Sequence, residues 1–418
     1  MPGLVPAWAE DLFRVARAAF IADKYIRRST AVDNWTRHIH LSVPVTDPER
    51  WGSPVASAHF TTLLQTLTAD VWEVSFRAFR PEYTCEALPL AYERQVSEVA
   101  LLSGGLDSLS WAATRAGAGG TSAQGLVFVM FREISLDAVQ QRVYASVRRL
   151  RPTRDISLVP LRQTPKGDGS GDRLETSART RGLLYTTGAV RIATAHRVRI
   201  VHVPENGQLA LNPPLTPARA AACSTRSVHP WTLHHLNALM AEISAGDGAV
   251  TVVNPLGQLT KGEVCRAALD AGLRAAELEG TVSCGKPPIR QGQGLTMANC
   301  GVCYPCLVRR SGLLHSVGFD RTVYEVEPWS LGADSERDED WRALQRRLCR
   351  PHTLSDLLGD TPLPPGTDAK AALDVLVRGW GELSGLLEFA LRAQPVSAAS
   401  GMAWPDVEAL SDEAAPGV

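Results

Sequence analysis

The sequence predicts an α/β protein built on a doubly wound parallel sheet, and three observations carry that expectation. From residue 96 onward short apolar runs alternate with helix-like stretches, the pattern of successive βαβ units rather than of hairpins. The chain has 418 residues, 44% hydrophobic and 21% charged, which is enough for two or three folded units and too apolar for disorder. No repeat at a fixed period is evident, which argues against a solenoid. With 43 Lys and Arg against 44 Asp and Glu the formal charge is -1, so nothing global draws the chain to nucleic acid or an anionic membrane.

In chain order, residues 1–95 read as a small N-terminal α+β lobe. A helix is expected over about residues 8–26, and its Glu10, Asp11, Arg14, Arg17, Asp23 and Lys24 are foreign to a secretion signal. No window holds the roughly 18 apolar residues of a membrane span, so a cytoplasmic protein is expected. Ile39, Leu41, Val43 and Val45 alternate with other residues, as do Trp72, Val74, Phe76 and Ala78, each set marking a half-buried strand. The strands of the main sheet are expected at 99–102, 126–130, 156–159, 200–203 and 250–253, within a domain spanning 96–318. Thr260 with Glu263 makes a capping box that starts a helix running to about Ala271. Beyond it, residues 319–392 read as a helical C-terminal region, where Leu373, Leu376, Trp380, Leu383 and Leu387 form one apolar face after a proline-rich connection. Residues 393–418, acidic and rich in Ala, Ser and Pro, read as a disordered or docked tail.

The sharpest motif is Ser103-Gly104-Gly105-Leu106-Asp107-Ser108, directly after the first strand of the main sheet and at the start of a helix. Two glycines permit a tight turn with N–H groups toward an anion, the hydroxyls add donors, and the helix start adds positive potential. A Walker loop would need Lys after a second Gly, and Asp107-Ser108 stand there instead. As a loop residue, Asp107 is expected to be replaceable without unfolding the chain. The second motif is Cys300-x-x-Cys303-x-x-Cys306 with Cys284 upstream, four thiolates that can close a tetrahedral zinc site with no open position for catalysis. An iron–sulfur cluster is the alternative, and Cys85, Cys223, Cys265 and Cys349 are scattered and structural. Arg142, Arg148, Arg149, Arg151 and Arg154 make a basic run that reads first as a solvated helix face. His229, His234 and His235 lack carboxylate or Cys partners at ligand spacing and read as packing or surface residues. Lys261 either meets phosphates or an acyl-adenylate or is a solvated first-turn residue; a cation there opposes the helix dipole unless an anion is near.

The 103–108 hexapeptide resembles the pyrophosphate loop of the N-type ATP pyrophosphatases, which split ATP between its α and β phosphates with Mg²⁺. The cysteine pattern narrows the likeness. Ser283-Cys284 and Cys300-Gly301-Val302-Cys303-Tyr304-Pro305-Cys306-Leu307-Val308-Arg309 are similar to the 7-cyano-7-deazaguanine synthase (QueC-like) family of the queuosine pathway. Asn254-Pro255-Leu256 with Thr260-Lys261-Gly262-Glu263, and Arg181 with Leu183-Leu184-Tyr185, resemble further segments of that family. The substrate side departs from it: Val129-Met130-Phe131-Arg132-Glu133, Gly182, and Glu205-Asn206-Gly207 followed by Val228-His229-Pro230-Trp231 stand where the family has other residues. Extra regions at both ends resemble the longer antiphage relatives, notably the Qat type.

The resemblance implies a PP-loop, adenine nucleotide α-hydrolase-like fold, with ATP at Ser103, Gly104, Gly105, Leu106, Asp107 and Ser108 and zinc at Cys284, Cys300, Cys303 and Cys306. It implies ATP, Mg²⁺ and Zn²⁺ as cofactors and Arg181, Lys261 and Glu205 as catalytic or substrate-side residues. The expected reaction adenylates a 7-carboxy-7-deazaguanine-like acid, and ammonia or a partner protein's amine then forms an amide. Other expectations are biosynthetic nitrile formation, a tRNA-modifying ATP pyrophosphatase, and a scaffold that only senses nucleotide.

Overall fold

The computed structural model describes residues 5–79, 96–117, 125–133, 135–151, 155–162, 174–216, 226–285, 289–291, 296–331, 335, 337, 339–360 and 362–393. The chain opens with α1 (Ala7–Tyr25), which buries Trp8, Leu12, Val15, Ala19 and Phe20 at helical spacing. β1 (His38–Val45) and the next strand, β2 (Val71–Ala78), pair in parallel from His38 opposite Val71 to Val45 opposite Ala78. Parallel neighbours require a crossover. α2 (Pro48–Trp51) and α3 (Pro54–Thr68) supply it, each with its proline in the first turn behind a capping side chain, Asp47 or Ser53. The α+β lobe expected from the sequence is therefore corrected to a βαβ unit. Alternation revealed the strands, but not the helices that force them parallel.

The remaining elements follow the expected alternation: β3 (Val96–Leu101), α4 (Leu106–Gly117), β4 (Gly125–Phe131), α5 (Asp137–Leu150), β5 (Ile156–Leu161), α6 (Arg181–Ala195), β6 (Ile200–His202), α7 (Gly207–Leu211), α8 (Pro230–Ser244), β7 (Thr251–Val253) and α9 (Lys261–Asp270). The strands form one five-stranded parallel sheet in the order β5-β4-β3-β6-β7, on the five apolar runs read from sequence. β3 comes first in the chain and lies at the centre, so the winding reverses between β3 and β6. In open α/β sheets ligands bind at the strands' carboxyl ends at such a reversal.

β4 is buried along its length and feeds two cores. Val127, Val129 and Phe131 pack with residues of α1, α6 and α8, while Leu126, Phe128 and Met130 pack with residues of α4, α5 and α9. The first core also contains Ile39, Trp51, Phe60 and Trp72, so the N-terminal unit shares its interior with one face of the sheet. The boundary expected near residue 95 lies outside the described residues.

After α9 come α10 (Ala275–Glu279), the antiparallel pair β8 (Ile289–Gln291) and β9 (Thr296–Ala298), α11 (Tyr304–Val317), α12 (Glu339–Leu348), α13 (Leu354–Asp360) and α14 (Ala369–Ala393). The expected stripe on α14 is buried at Leu376, Trp380 and Leu383 and partly buried at Leu373 and Leu387, in a core shared with α7, α11, α12 and α13. The tail expected after 393, Cys85, Cys223 and Arg154 lie outside the described residues. No helix among the described residues is long and apolar enough to cross a membrane.

Candidate functional site

The 103–108 loop leaves the carboxyl end of β3 at the reversal of the sheet. Its serines hold its shape: Ser103 Oγ and Ser108 Oγ lie 3.0 Å apart, the Gly105 N–H donates to Ser103 Oγ at 3.0 Å, and the Ser103 N–H donates to Ser108 Oγ at 3.2 Å. Neither glycine takes a left-handed φ; each sits close to a side chain, since a Cβ at Gly104 would stand 3.1 Å from Val139 Cγ1 and one at Gly105 3.0 Å from Ser103 Oγ. The loop is also tied to the segment that carries the first cysteine. The Val282 N–H donates to the Gly104 carbonyl at 2.8 Å, and the Leu106 N–H to Ser283 Oγ at 3.3 Å.

Asp107 is not the free loop residue expected from the sequence. It lies in the first turn of α4, 6% exposed, with Lys261 Nζ 2.7 Å from both of its carboxylate oxygens. Asn206 donates to it through Nδ2 at 2.9 Å and through its backbone N–H at 3.3 Å. Burial raises the Asp107 carboxyl, but the Lys261 charge and hydrogen bonds from Glu205, Lys261 and Asn206 outweigh it and hold the group below its usual range. Glu205 goes the other way. Burial, the neighbouring Asp107 charge and the hydrogen bond to Asp107 push it well above an ordinary glutamate. The two shifts favour a proton on Glu205 over one on Asp107, and Lys261 balances the Asp107 charge.

Lys261 is 1% exposed, which excludes the solvated reading. Its first-turn position asks for an anion nearby, and Asp107 is that anion. The Thr260–Glu263 capping box expected from sequence is present. Two further side chains fix the turn: the Lys261 N–H donates to Gln208 Oε1 at 3.0 Å, and Glu382 of α14 accepts the Gly262 N–H at 3.0 and 3.1 Å and also the Thr260 hydroxyl. Gln208 and Glu382 were not singled out in the sequence, because each acts across the fold on a helix start that it does not precede. Arg181 makes no hydrogen bond or ion pair with this cluster among the described residues. It opens α6 half-exposed, 4.0 Å from Glu133 and 6.0 Å from the ring of Tyr185, which stacks on Phe131.

The four cysteines come together. Cys284, Cys300, Cys303 and Cys306 place their sulfurs all within 4.8 Å of one another, with Cys284 to Cys303 at 3.9 Å and Cys300 to Cys306 at 3.8 Å. A tetrahedron with metal–sulfur bonds of about 2.3 Å has edges of about 3.8 Å, whereas a disulfide needs about 2.05 Å. The spacing fits a metal ion, and a set of four sulfurs suits zinc or iron rather than a hard cation. N–H groups of Cys303 and Gly285 point to Cys300 Sγ and Cys303 Sγ, each at 3.4 Å. Gly301 turns the chain between ligands with φ +87, where a Cβ would run into the Val326 carbonyl. Beside it the buried Arg310 lies 3.5 Å over the Tyr324 ring and pairs with Glu327 at 2.8 Å. His229, His234 and His235 join no metal-competent group among the described residues. His229 instead caps α8, accepting the Trp231 N–H at 3.1 Å.

No curated protein and no solved structure matches the chain. One stretch does find a counterpart: residues 231–317, which supply Lys261, the four cysteines and α11, match the family model described as Queuosine biosynthesis protein QueC.

Proposed function

We propose that this chain is an ATP-dependent carbon–nitrogen ligase that adenylates the carboxylate of a 7-carboxy-7-deazaguanine-like acid, releases pyrophosphate, and passes the acyl group to ammonia or to a partner protein's amine. The observation that carries the reading is the Asp107–Glu205–Lys261 cluster, drawn from three segments to the reversal point of the sheet. The QueC-like segment supports the family of chemistry, since it contributes Lys261 and the metal-competent cysteines.

Adenylation answers a chemical need. A carboxylate is inert to amines, and the mixed anhydride with AMP has a good leaving group. In this proposal the 103–108 loop takes the phosphates, and Lys261 offers a buried cation toward their developing charge. ATP would arrive with Mg²⁺, for which the carboxylate oxygens of Asp107 are suitable hard donors, and the ion would neutralise polyphosphate charge. A four-sulfur zinc site would shape the 282–285 segment that braces the loop. The altered residues at 129–133, 205–207 and 228–231 favour an amide over a nitrile. Together with the regions outside the QueC-like segment, they favour a setting in antiphage defence of the Qat type.

A pyrophosphate-release assay on the whole chain with ATP and the deazaguanine acid tests the reading. Ser103→Ala with Ser108→Ala should cut release at least about a hundredfold in folded protein, and a wild-type rate in that double variant would overturn it. The serine pair is the cleaner choice, because Asp107→Ala would leave Lys261 buried without its counter-charge. Intact-mass measurement of co-expressed proteins should show an ATP-dependent adduct where a protein is the acceptor. Free nitrile with no adduct would return the chain to ordinary queuosine-type biosynthesis.

A further inference from the structure

The basic run of α5 divides on the structure. Arg148 turns to the Ile156 carbonyl at 3.1 Å. Arg142 and Arg149, two turns apart on one helix face, instead line a cleft of about 340 Å³ between α5 and α10, with Arg274 on the opposite wall.

A single carboxylate lines this cleft against three guanidinium groups. Glu277, its side chain 9% exposed, takes Arg149 through Nη2 at 2.6 Å and Nε at 3.2 Å, and Arg274 through Nε at 3.3 Å. Burial pushes Glu277 up, but Arg149, Arg274 and Ser146 hold it at about 2, so it stays ionised and keeps both arginines in place. Arg142 has no hydrogen bond or ion pair among the described residues. Two positive charges therefore remain unanswered inside a concavity, where low-dielectric walls focus the field more than a convex helix face does.

The chemistry that fits is a phosphate ester, whose oxygens accept several guanidinium N–H donors at once. Ala145 and Ala276 give the cleft small apolar walls, against which a planar base can lie. The volume falls at the small-molecule end of ligand sites. The cleft shares no lining residue with the 103–108 loop, although Gly280 on its wall is two residues from Val282, which hydrogen-bonds that loop.

We propose that the cleft between α5 and α10 is a second anion site that binds a phosphate monoester of mononucleotide size, with Arg142 and Arg274 on the phosphate and Glu277 holding Arg149 in place. Calorimetric titration of the full chain with AMP and GMP tests it, in the Ser103→Ala/Ser108→Ala background so that the loop does not report. At least one of these nucleotides should bind, and its nucleoside should not. Arg142→Gln should weaken binding about tenfold, and Arg142→Gln with Arg274→Gln about a hundredfold. Arg142→Gln disturbs no hydrogen-bond or ion-pair partner among the described residues, so its effect reads the site rather than the fold. No binding of either nucleotide, or equal affinity in wild type and both variants, overturns the proposal. Binding of a 15-nucleotide single-stranded RNA that is lost in the double variant, and with which neither nucleotide competes, also overturns it and makes the cleft a nucleic-acid contact.

Discussion

The cysteine cluster and the Asp107 cluster are both polar and both largely buried, yet they are built in opposite ways. Three of the four sulfurs come from residues 300–306, brought together by one glycine turn and the start of α11. The Asp107 cluster draws on residues 107, 205–208, 261 and 382, which meet only when the strand order of the sheet and the packing of α14 are in place. A local site of this kind should fail when its ion is removed. A site assembled by topology should fail when a single charge is left without its partner.

The largest effect expected is metal removal. Structural zinc in small domains contributes on the order of 10 kcal/mol of apparent binding energy to folding, so chelation or Cys306→Ser should cost the 282–285 segment and α11 most of their protection against hydrogen exchange while β4 keeps its own. Elemental analysis should find about one zinc per chain. Unchanged protection in the metal-free chain would break the comparison, and stoichiometric iron with visible absorbance would replace zinc in it.

Next in size is the loss of one charge from the assembled site. Lys261→Met leaves Asp107 buried and unpaired, at a cost of about 3–5 kcal/mol. Lys261→Met combined with Asp107→Asn should cost clearly less than the sum of the two single changes, as read by urea unfolding. Additive costs would mean that the 2.7 Å pair is not the unit of stability it looks to be. Glu382→Ala probes the same site from α14 and should cost about 1–3 kcal/mol, because the Gly262 N–H and the Thr260 hydroxyl lose their acceptor.

The two regions also differ in how far the sequence reveals them. The cysteine spacing was readable because metal ligands must come at short, fixed intervals. The sheet was readable because a strand covered on both faces, like β4, is apolar at every position. Lys261 was half readable: the capping box and the helix dipole demanded a nearby anion, but nothing local pointed to Asp107, 154 residues away. Glu382 was hidden inside the apolar stripe of α14, where a lone carboxylate reads as the solvent side of a helix. α2 and α3 were hidden by Pro48 and Pro54, which break helices in their interiors and favour them at their starts. Arg181 was singled out by likeness to a family segment, and its half-exposed pairing with Glu133 gives it no tie to the Asp107 cluster.

The smallest effect sharpens the comparison furthest, because the two regions should answer pH in opposite directions. Metal binding strengthens as pH rises, since the ligand sulfurs must be deprotonated. In the Asp107 cluster, Glu205 is held well above its ordinary value of 4.5 by burial, by the Asp107 charge and by its hydrogen bond to Asp107. From 4.5 up to that raised value the folded chain keeps a proton that the unfolded chain releases, so stability falls as pH rises, by at most about 1.4 kcal/mol per pH unit. Asp107 titrates in another window. Its folded value lies below the ordinary 3.8, so the stability it contributes is complete above that pH and is lost only as pH falls through the folded value. Above 4.5 and up to that raised value Glu205 alone therefore sets the sign for this cluster. Glu205→Gln keeps an N–H donor for Asp107 and removes the titration. With metal held saturating, the unfolding free energy of the wild type should decline across that range relative to Glu205→Gln. Parallel curves would show that Glu205 is already ionised in the fold, and that the cluster holds two negative charges where one proton was inferred.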